Sequence, residues 1–170
     1  TGLVFLPKEK HKAELCLDVI KENVEKEGLN LLAIRDVPVN SNILGEISAS
    51  NEPQIKQIFV TGSSNQQELE LKLYVVRKKI EKSIYQSNIA KERNFYIVSL
   101  STKQMVYKGM LTSLQLRDYY PDLCNENFTS GISLVHSRFS TNTFPTWDLA
   151  QPFRMLGHNG EINTIKGNAD

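Results

Sequence analysis

The chain has 170 residues, which is enough for one domain with a sizeable hydrophobic core. It contains 40% hydrophobic and 23% charged residues and has a formal net charge of +1, a composition typical of a globular domain. Because the net charge is close to zero, no overall field attracts nucleic acid. No apolar run reaches the roughly 20 residues that a membrane-spanning helix needs. We therefore expect no nucleic-acid partner and no membrane insertion.

The two cysteines, Cys16 and Cys124, do not have the spacing of metal ligands. Isolated thiols of this kind are typical of a reducing compartment, where they stay free. The sequence therefore predicts no metal site in this segment and favours the cytoplasm.

The first ninety residues alternate between short apolar runs and segments with helical periodicity. Apolar runs that end in Pro or turn residues predict strands at 2–6, 29–34 and 55–60. Helical periodicity predicts helices at 11–26 and 66–85. In the second helix, apolar residues spaced by three or four positions predict the buried face: Leu69, Leu73, Val76, Ile80 and Ile84.

The next part of the chain predicts a hairpin and a short helix. Residues 94–100 and 104–111 have the pattern of two strands joined by a polar turn. Residues 112–119 predict a short helix with Thr112 as its N-cap, ended near Pro121. Since the predicted strands are partly adjacent and partly separated by helices, we expect an α+β layered domain with mixed or antiparallel sheets.

Residues 132–139 predict a further strand that ends in charged and polar side chains. Side chains alternate between the faces of a strand, so one face carries Ile132, Leu134, His136 and Arg138. An arginine cannot be buried there without a partner, because its desolvation costs several kcal/mol. Arg138 therefore either binds an anion, for which a carboxylate is the natural choice, or forms a structural ion pair with Asp or Glu.

Asn159-Gly160 ends a second short apolar run, directly after His158. Asn-Gly is the strongest short signal for a hairpin turn. The next residues, 161–166, have the pattern of a helix start instead, and such a junction directs backbone N–H groups towards a ligand. Under that second interpretation, the Asn159 amide and the Gly160 N–H would be two donors of an oxyanion hole.

The segment Arg138-Phe139-Ser140-Thr141, followed by His158-Asn159-Gly160, resembles the pattern of class II glutamine amidotransferases. The longer stretch VHSRFSTNTFPTWDLAQPFRMLGHNGEINTIKGN is similar to the glutaminase domain of glutamate synthases. Earlier segments, among them TGLVFLP, GLNLLAIRDVPVN and NFYIVSLSTKQMVYKGML, resemble that domain in the same order. The resemblance implies an N-terminal-nucleophile hydrolase fold, an αββα sandwich. Residues 1–170 would be a single, partial domain that is incomplete at both ends.

The resemblance also implies an activity and residue roles. The parent enzyme would hydrolyse glutamine to glutamate and ammonia, and would transfer the ammonia to 2-oxoglutarate. Arg138 would bind the α-carboxylate of glutamine. Asn159 and the Gly160 N–H would form the oxyanion hole. Thr141 and His158 would line the substrate pocket.

The nucleophile of the family, a cysteine at the mature N-terminus, is absent from the chain, which begins with Thr1. Thr1 as an alternative nucleophile is disfavoured because it opens an internal strand of the family domain. Cys16 lies beside an apolar helix stripe, and Cys124 has no base nearby in sequence, so neither fits the role. We therefore expect an internal fragment that is inactive by itself. The alternative is a non-catalytic folding or interaction module derived from the same domain.

The resemblance further implies cofactors and partners. This segment would hold no cofactor, while the parent would use FMN and an iron–sulfur cluster elsewhere. The expected partners are glutamine, the rest of the glutamate synthase chain, and an electron donor that is either ferredoxin or a nucleotide-dependent small subunit. In a photosynthetic eukaryote the location would be the plastid stroma. An incomplete sheet exposes an edge, so we also expect self-association of the fragment.

Overall fold

A computed structural model describes residues 1–63, 65–90, 94–139 and 144–153. The chain forms two compact units. We call the first the sheet unit; it comprises Thr1–Val37 and Glu52–Tyr107. We call the second the aromatic unit; it comprises Pro38–Asn51 and Lys108–Asp170.

The described elements are four strands and four α-helices. The strands are β1 (Gly2–Leu6), β2 (Asn30–Asp36), β3 (Gln54–Thr61) and β4 (Tyr96–Ile97). The helices are α1 (Lys10–Lys26), α2 (Glu46–Ser50), α3 (Gln66–Gln86) and α4 (Gln115–Tyr119), with 3-10 turns at Ser41–Ile43 and Pro121–Cys124. The prediction of an α+β chain is confirmed, and the first three strands and two long helices lie where the periodicity predicted them.

The sheet unit is built on one antiparallel sheet with the strand order β2-β3-β1-β4. β1 lies between β3 and β4, with Leu3 opposite Gln57 and Val4 opposite Ile97. All five residues of β1 are buried, which explains its continuous apolar sequence. A β-bulge interrupts β2 between Leu31 and Ala33, at the edge of the sheet.

Helices α1 and α3 supply the other half of the core in the sheet unit. The Asn65 side chain caps α3 by accepting hydrogen bonds from the backbone N–H groups of Gln67 and Glu68, at 2.9 and 3.1 Å. Gly28, with φ of +69°, terminates the turn after α1. The core is formed by Val4, Leu6, Ala13, Cys16, Ile20, Val24, Ile58, Leu73, Val76, Ile80, Ile84 and Ile97. The predicted buried face of α3 is thereby confirmed, with Leu69 packed half-buried at its margin.

The hairpin predicted at 94–100 and 104–111 is wrong for most of its length. Only Tyr96–Ile97 forms a strand, and residues 104–111, all of them described, form none. The hydroxyl of Ser99 replaces part of the expected ladder by accepting from the backbone N–H of Val106 at 3.3 Å. A buried side-chain oxygen thus satisfies a donor that a partner strand would otherwise satisfy.

The short helix predicted at residues 112–119 also begins later than expected. α4 begins at Gln115, and Thr112 is not its N-cap residue. Thr112 instead donates from its backbone N–H and its hydroxyl to the Gln115 side-chain oxygen, at 3.0 and 3.1 Å. None of the described helices is long and apolar enough to cross a membrane.

Candidate functional site

The segment that carries Arg138 has the sequence of a strand but is not one. Residues 132–139, all of them described, form no ladder, and every side chain in the segment except that of Phe139 is exposed. Ile132 and Leu134, predicted to be in the core, are 90% and 69% exposed. The alternation of apolar residues is a local property, whereas a strand also needs a pairing partner, which the described residues do not provide here. The predicted strand is therefore wrong.

Arg138 itself lies in this exposed segment, beside His136. The Nδ1 atom of His136 accepts a hydrogen bond from the backbone N–H of Arg138 at 3.2 Å. This contact places the imidazole along the backbone, and the guanidinium is exposed. The other predicted site residues, Thr141, His158, Asn159 and Gly160, lie outside the described residues. Their grouping with Arg138 stays a prediction.

Trp147, which is only 4% exposed, anchors the described stretch 144–153 in the aromatic unit. Its indole N–H donates to the carbonyl of Ser48 at 3.1 Å, and its ring lies 5.5 Å from that of Tyr119. A Cβ atom at Gly109 would lie 2.4 Å from the Trp147 ring, so only glycine permits this contact. The tryptophan within the motif FPTWDLAQPF is thus a structural anchor.

A buried lysine, Lys108, is the residue that the sequence analysis missed. Its side chain is fully buried, and its Nζ donates to the backbone carbonyl of Asp148 at 2.6 Å. The same ammonium lies 5.1 Å from the centre of the Phe153 ring, which is a cation–π distance. The sequence signal for it is a single charge within the apolar run VYKGML.

Two side-chain oxygens of the aromatic unit are buried. Neither Thr146 Oγ1 nor Asp148 Oδ1 forms a hydrogen bond with any residue that the structure describes. A buried polar group without a hydrogen bond costs roughly 1–3 kcal/mol, so positions of this kind are rare in ordinary packing.

The alternative nucleophiles differ in their surroundings. Burial raises the pKa of the Cys16 thiol to about 11, so almost no reactive thiolate forms near neutral pH. Cys124 is exposed, and its sulfur accepts from Nε of Arg117 at 3.3 Å. The hydroxyl of Thr1 donates to the Ile58 carbonyl at 3.1 Å and accepts from Gln57 at 3.1 Å. Among the described residues, no three His, Cys, Asp or Glu side chains group as metal ligands.

Comparison with known proteins decides the family. The family model for class II glutamine amidotransferases matches residues 1–170. The chain belongs to this family. It is 45% identical, over 99% of its length, to the NADPH glutamate synthase large chain of Azospirillum brasilense. It is also 45% identical over 98% of its length to ferredoxin-dependent glutamate synthase 2 of Synechocystis, and 42% to the NADPH large chain of Bacillus subtilis. The resemblance to glutamate synthases is thereby confirmed.

These relatives are much longer than the chain. The matched region makes up 11%, 10% and 11% of the three relatives, so this class II amidotransferase chain spans about a tenth of their length. The names of the relatives include both NADPH- and ferredoxin-dependent enzymes, so the electron donor differs among proteins of comparable similarity.

Proposed function

We propose that this chain is part of the glutaminase domain of a glutamate synthase, which hydrolyses glutamine and passes the ammonia to 2-oxoglutarate. The observation that carries the proposal is the family match over all 170 residues, joined with 42–45% identity to glutamate synthase large chains. The αββα sandwich of a single amidotransferase domain belongs to the same proposal. The antiparallel sheet covered by α1 and α3 would supply one sheet layer and one helix layer.

The proposed chemistry is an acyl transfer. The sulfur of a cysteine forms a C–S bond to the side-chain carbonyl carbon of glutamine, and the C–N bond breaks as the nitrogen takes up the thiol proton and leaves as ammonia. Water then adds to the thioester, the C–S bond breaks, and glutamate and the free thiol are released. Asn159 and the Gly160 N–H would stabilise the oxyanion that forms in each step. Arg138 would bind the substrate α-carboxylate, and Thr141 and His158 would line the pocket. The exposed guanidinium of Arg138 is accessible for such a carboxylate.

In the proposed reaction, this chain would supply binding groups, and neither of its two cysteines fits the role of the nucleophile. Burial raises the pKa of Cys16 to about 11, and Cys124 has no base nearby in sequence. We propose that the 170 residues alone release no ammonia from glutamine. FMN and the iron–sulfur cluster would be held elsewhere in the parent, together with the contact to ferredoxin or a nucleotide-dependent small subunit. The parent would act in the bacterial cytoplasm or the plastid stroma.

The test uses the full-length protein that contains this chain. Arg138→Ala is expected to raise the KM for glutamine by about 10-fold or more, because a charge-assisted pair with the substrate is lost. Synthesis of glutamate from added ammonia should be unchanged, since ammonia bypasses the glutaminase site. Arg117→Ala removes another exposed arginine and serves as the control. Equal glutamine kinetics for wild type and Arg138→Ala would refute the role of Arg138. Absence of glutamine-dependent activity in the wild type would favour the non-catalytic module.

A further inference from the structure

The main chain at Arg138 is restrained by a side chain and not by a neighbouring strand. Residues 132–139 form no ladder with the residues that the structure describes, so ladder hydrogen bonds do not fix the backbone there. The Arg138 N–H instead donates to Nδ1 of His136 at 3.2 Å. Within the described part of the chain, this is the one hydrogen bond of Arg138. The imidazole of His136 is therefore the group that restrains Arg138.

This contact restrains the direction of the arginine side chain. It runs from a side-chain acceptor to the N–H two residues further on, which is the spacing of an Asx turn. The ring that it closes contains the backbone of Ser137, so it fixes the peptide plane that precedes Arg138. Since the orientation of that plane sets the direction in which the Arg138 side chain leaves the main chain, the imidazole limits where the guanidinium can lie.

The guanidinium of Arg138 is accessible to an anion from outside the described residues. The side chain is exposed, and no aspartate or glutamate among the described residues forms a salt bridge with it. The structural ion pair considered for Arg138 is therefore absent from that part of the chain. Ordering a long arginine side chain costs rotamer entropy, so a restrained backbone lowers the cost of binding a carboxylate.

We propose that His136 is a positioning residue for Arg138, which orients the guanidinium towards the α-carboxylate of glutamine. This inference rests on the proposed glutaminase function, in which Arg138 binds that carboxylate. The imidazole accepts the hydrogen bond in its neutral form, with the proton on Nε2. Because Nδ1 is occupied by the main chain, His136 acts through Arg138 and needs no contact with the substrate.

The test replaces His136 by Ala in the full-length protein that contains this chain. We expect the KM for glutamine to rise about 3- to 10-fold, the size of effect that losing one such hydrogen bond has. The value of kcat should stay within about twofold, because the carboxylate is bound equally in the ground state and the transition state. His136→Asn should restore the wild-type KM, since the amide oxygen of asparagine accepts from the N–H two residues on.

Two controls separate this effect from a loss of folded protein. Synthesis of glutamate from added ammonia should proceed at the wild-type rate in both His136 variants. His11→Ala removes another exposed imidazole, at the start of α1, and should leave the KM for glutamine unchanged. Competitive inhibition by glutamate, which carries the same α-carboxylate, should weaken in His136→Ala by the same factor by which the KM rises.

A double-mutant cycle shows whether His136 acts through Arg138. Arg138→Ala removes the guanidinium, so adding His136→Ala to it should change the KM for glutamine by less than about 1.5-fold. If His136 contacts the substrate itself or supports the pocket in general, the two effects will multiply instead. Multiplying effects would therefore overturn the inference.

The other outcomes are equally distinct. An unchanged KM in His136→Ala would overturn the inference, and so would a His136→Asn variant as impaired as His136→Ala. If Arg138→Ala is impaired while His136→Ala is normal, the role of His136 fails and the proposed function stands. If the full-length wild type has no glutamine-dependent activity, the proposed function fails and this inference fails with it.

Discussion

The guanidinium of Arg35 donates two hydrogen bonds to one oxygen of the Gln57 side chain, from Nε at 2.9 Å and from Nη2 at 2.6 Å. The two residues face each other in the register of β2 and β3, and Gln57 is only 5% exposed. The Gln57 amide nitrogen donates to the Thr1 hydroxyl at 3.1 Å. Strand alternation places these groups on the face of the sheet opposite to Val4 and Ile58, so a polar contact ties β2 to β3 there.

Gln57→Leu should lower the free energy of unfolding by about 2 kcal/mol, because a buried acceptor for a charged donor is lost. Urea unfolding followed by circular dichroism measures this change. Gln86→Leu replaces an exposed glutamine at the end of α3 and should stay within about 0.5 kcal/mol. Equal stabilities of the two variants would show that the Arg35–Gln57 contact contributes nothing.

Ile80→Ala should destabilise the chain by about 2–5 kcal/mol, because the Ile80 side chain of α3 is fully buried in the core. Leu71 lies on the same helix, and its side chain is 66% exposed. Leu71→Ala should therefore lower the free energy of unfolding by less than about 1 kcal/mol. The same urea titration compares both variants. A cost below about 1 kcal/mol for Ile80→Ala would contradict the packing of α3 against the core.

Glu70 should make the stability of the chain depend on pH in the acid range. Desolvation acts to raise its pKa, but hydrogen bonds from Ser101 and Thr102, with help from Lys103, outweigh it and hold the pKa of Glu70 below the ordinary 4.5. The unfolded state therefore binds more protons, so this contribution is present above the unfolded pKa and is lost as pH falls through the lowered, folded one.

Glu70→Gln should thus be less stable than the wild type at pH 7, and the difference should shrink as the pH falls below about 4. Glu25→Gln, at an exposed position of α1, is the control and should show no such convergence. Thermal unfolding between about pH 3 and pH 7 measures both. A difference that is constant with pH would contradict the carboxylate contacts.

The two cysteines should differ in reactivity. At about pH 8 an exposed Cys124 should react with an alkylating reagent in the native chain, while Cys16 should react only after unfolding. Burial raises the pKa of Cys16 to about 11. The neutral thiol therefore contributes fully to stability below the pKa that it has in the unfolded chain, and this contribution is lost as pH rises from about 9 to 11. Mass spectrometry of labelled native and urea-unfolded chain counts the modified thiols. Rapid native labelling of Cys16 would refute its burial.

The edge of the sheet should promote self-association of the isolated chain. β2 is one of the two outer strands of the sheet that the described residues form, and its Leu32 and Ile34 side chains are 66% and 41% exposed. Leu32→Lys should lower the apparent mass in light scattering at high concentration, because a charge on an edge strand disfavours pairing. Leu71→Lys, at an equally exposed leucine on α3, should not. A monomeric wild type would argue against this prediction.

Sequence periodicity predicted those elements whose signal is local. The buried stripe of α3 and the continuous apolar run of β1 could be predicted because the spacing of apolar residues within each segment indicates which side chains are buried. The predicted strands at 104–111 and 132–139 failed because pairing depends on a distant partner, which the same pattern does not encode. The burial of Lys108 was missed because a single lysine in an apolar run does not indicate which residues it contacts.

The candidate site had a different source. Local chemistry alone favoured a structural ion pair for Arg138 and a hairpin turn for Asn159-Gly160. Only the resemblance carried by the order of the motifs along the chain predicts that they share one pocket, and this grouping stays a prediction. Physical patterns therefore predicted the scaffold, while the assignment of the site came from resemblance.

The central place of β1 in the sheet also has a consequence for how the chain acquires its structure. β1 pairs with β3, which begins at residue 54, and with β4, which begins at residue 96. During synthesis, its five apolar residues therefore remain unpaired until β3 has emerged, and their second edge stays open until β4 has been made. Closing such long loops slows folding and leaves an aggregation-prone strand uncovered meanwhile. Because α1 follows β1 directly in sequence, packing of α1 against β1 is the first contact that can cover the apolar strand.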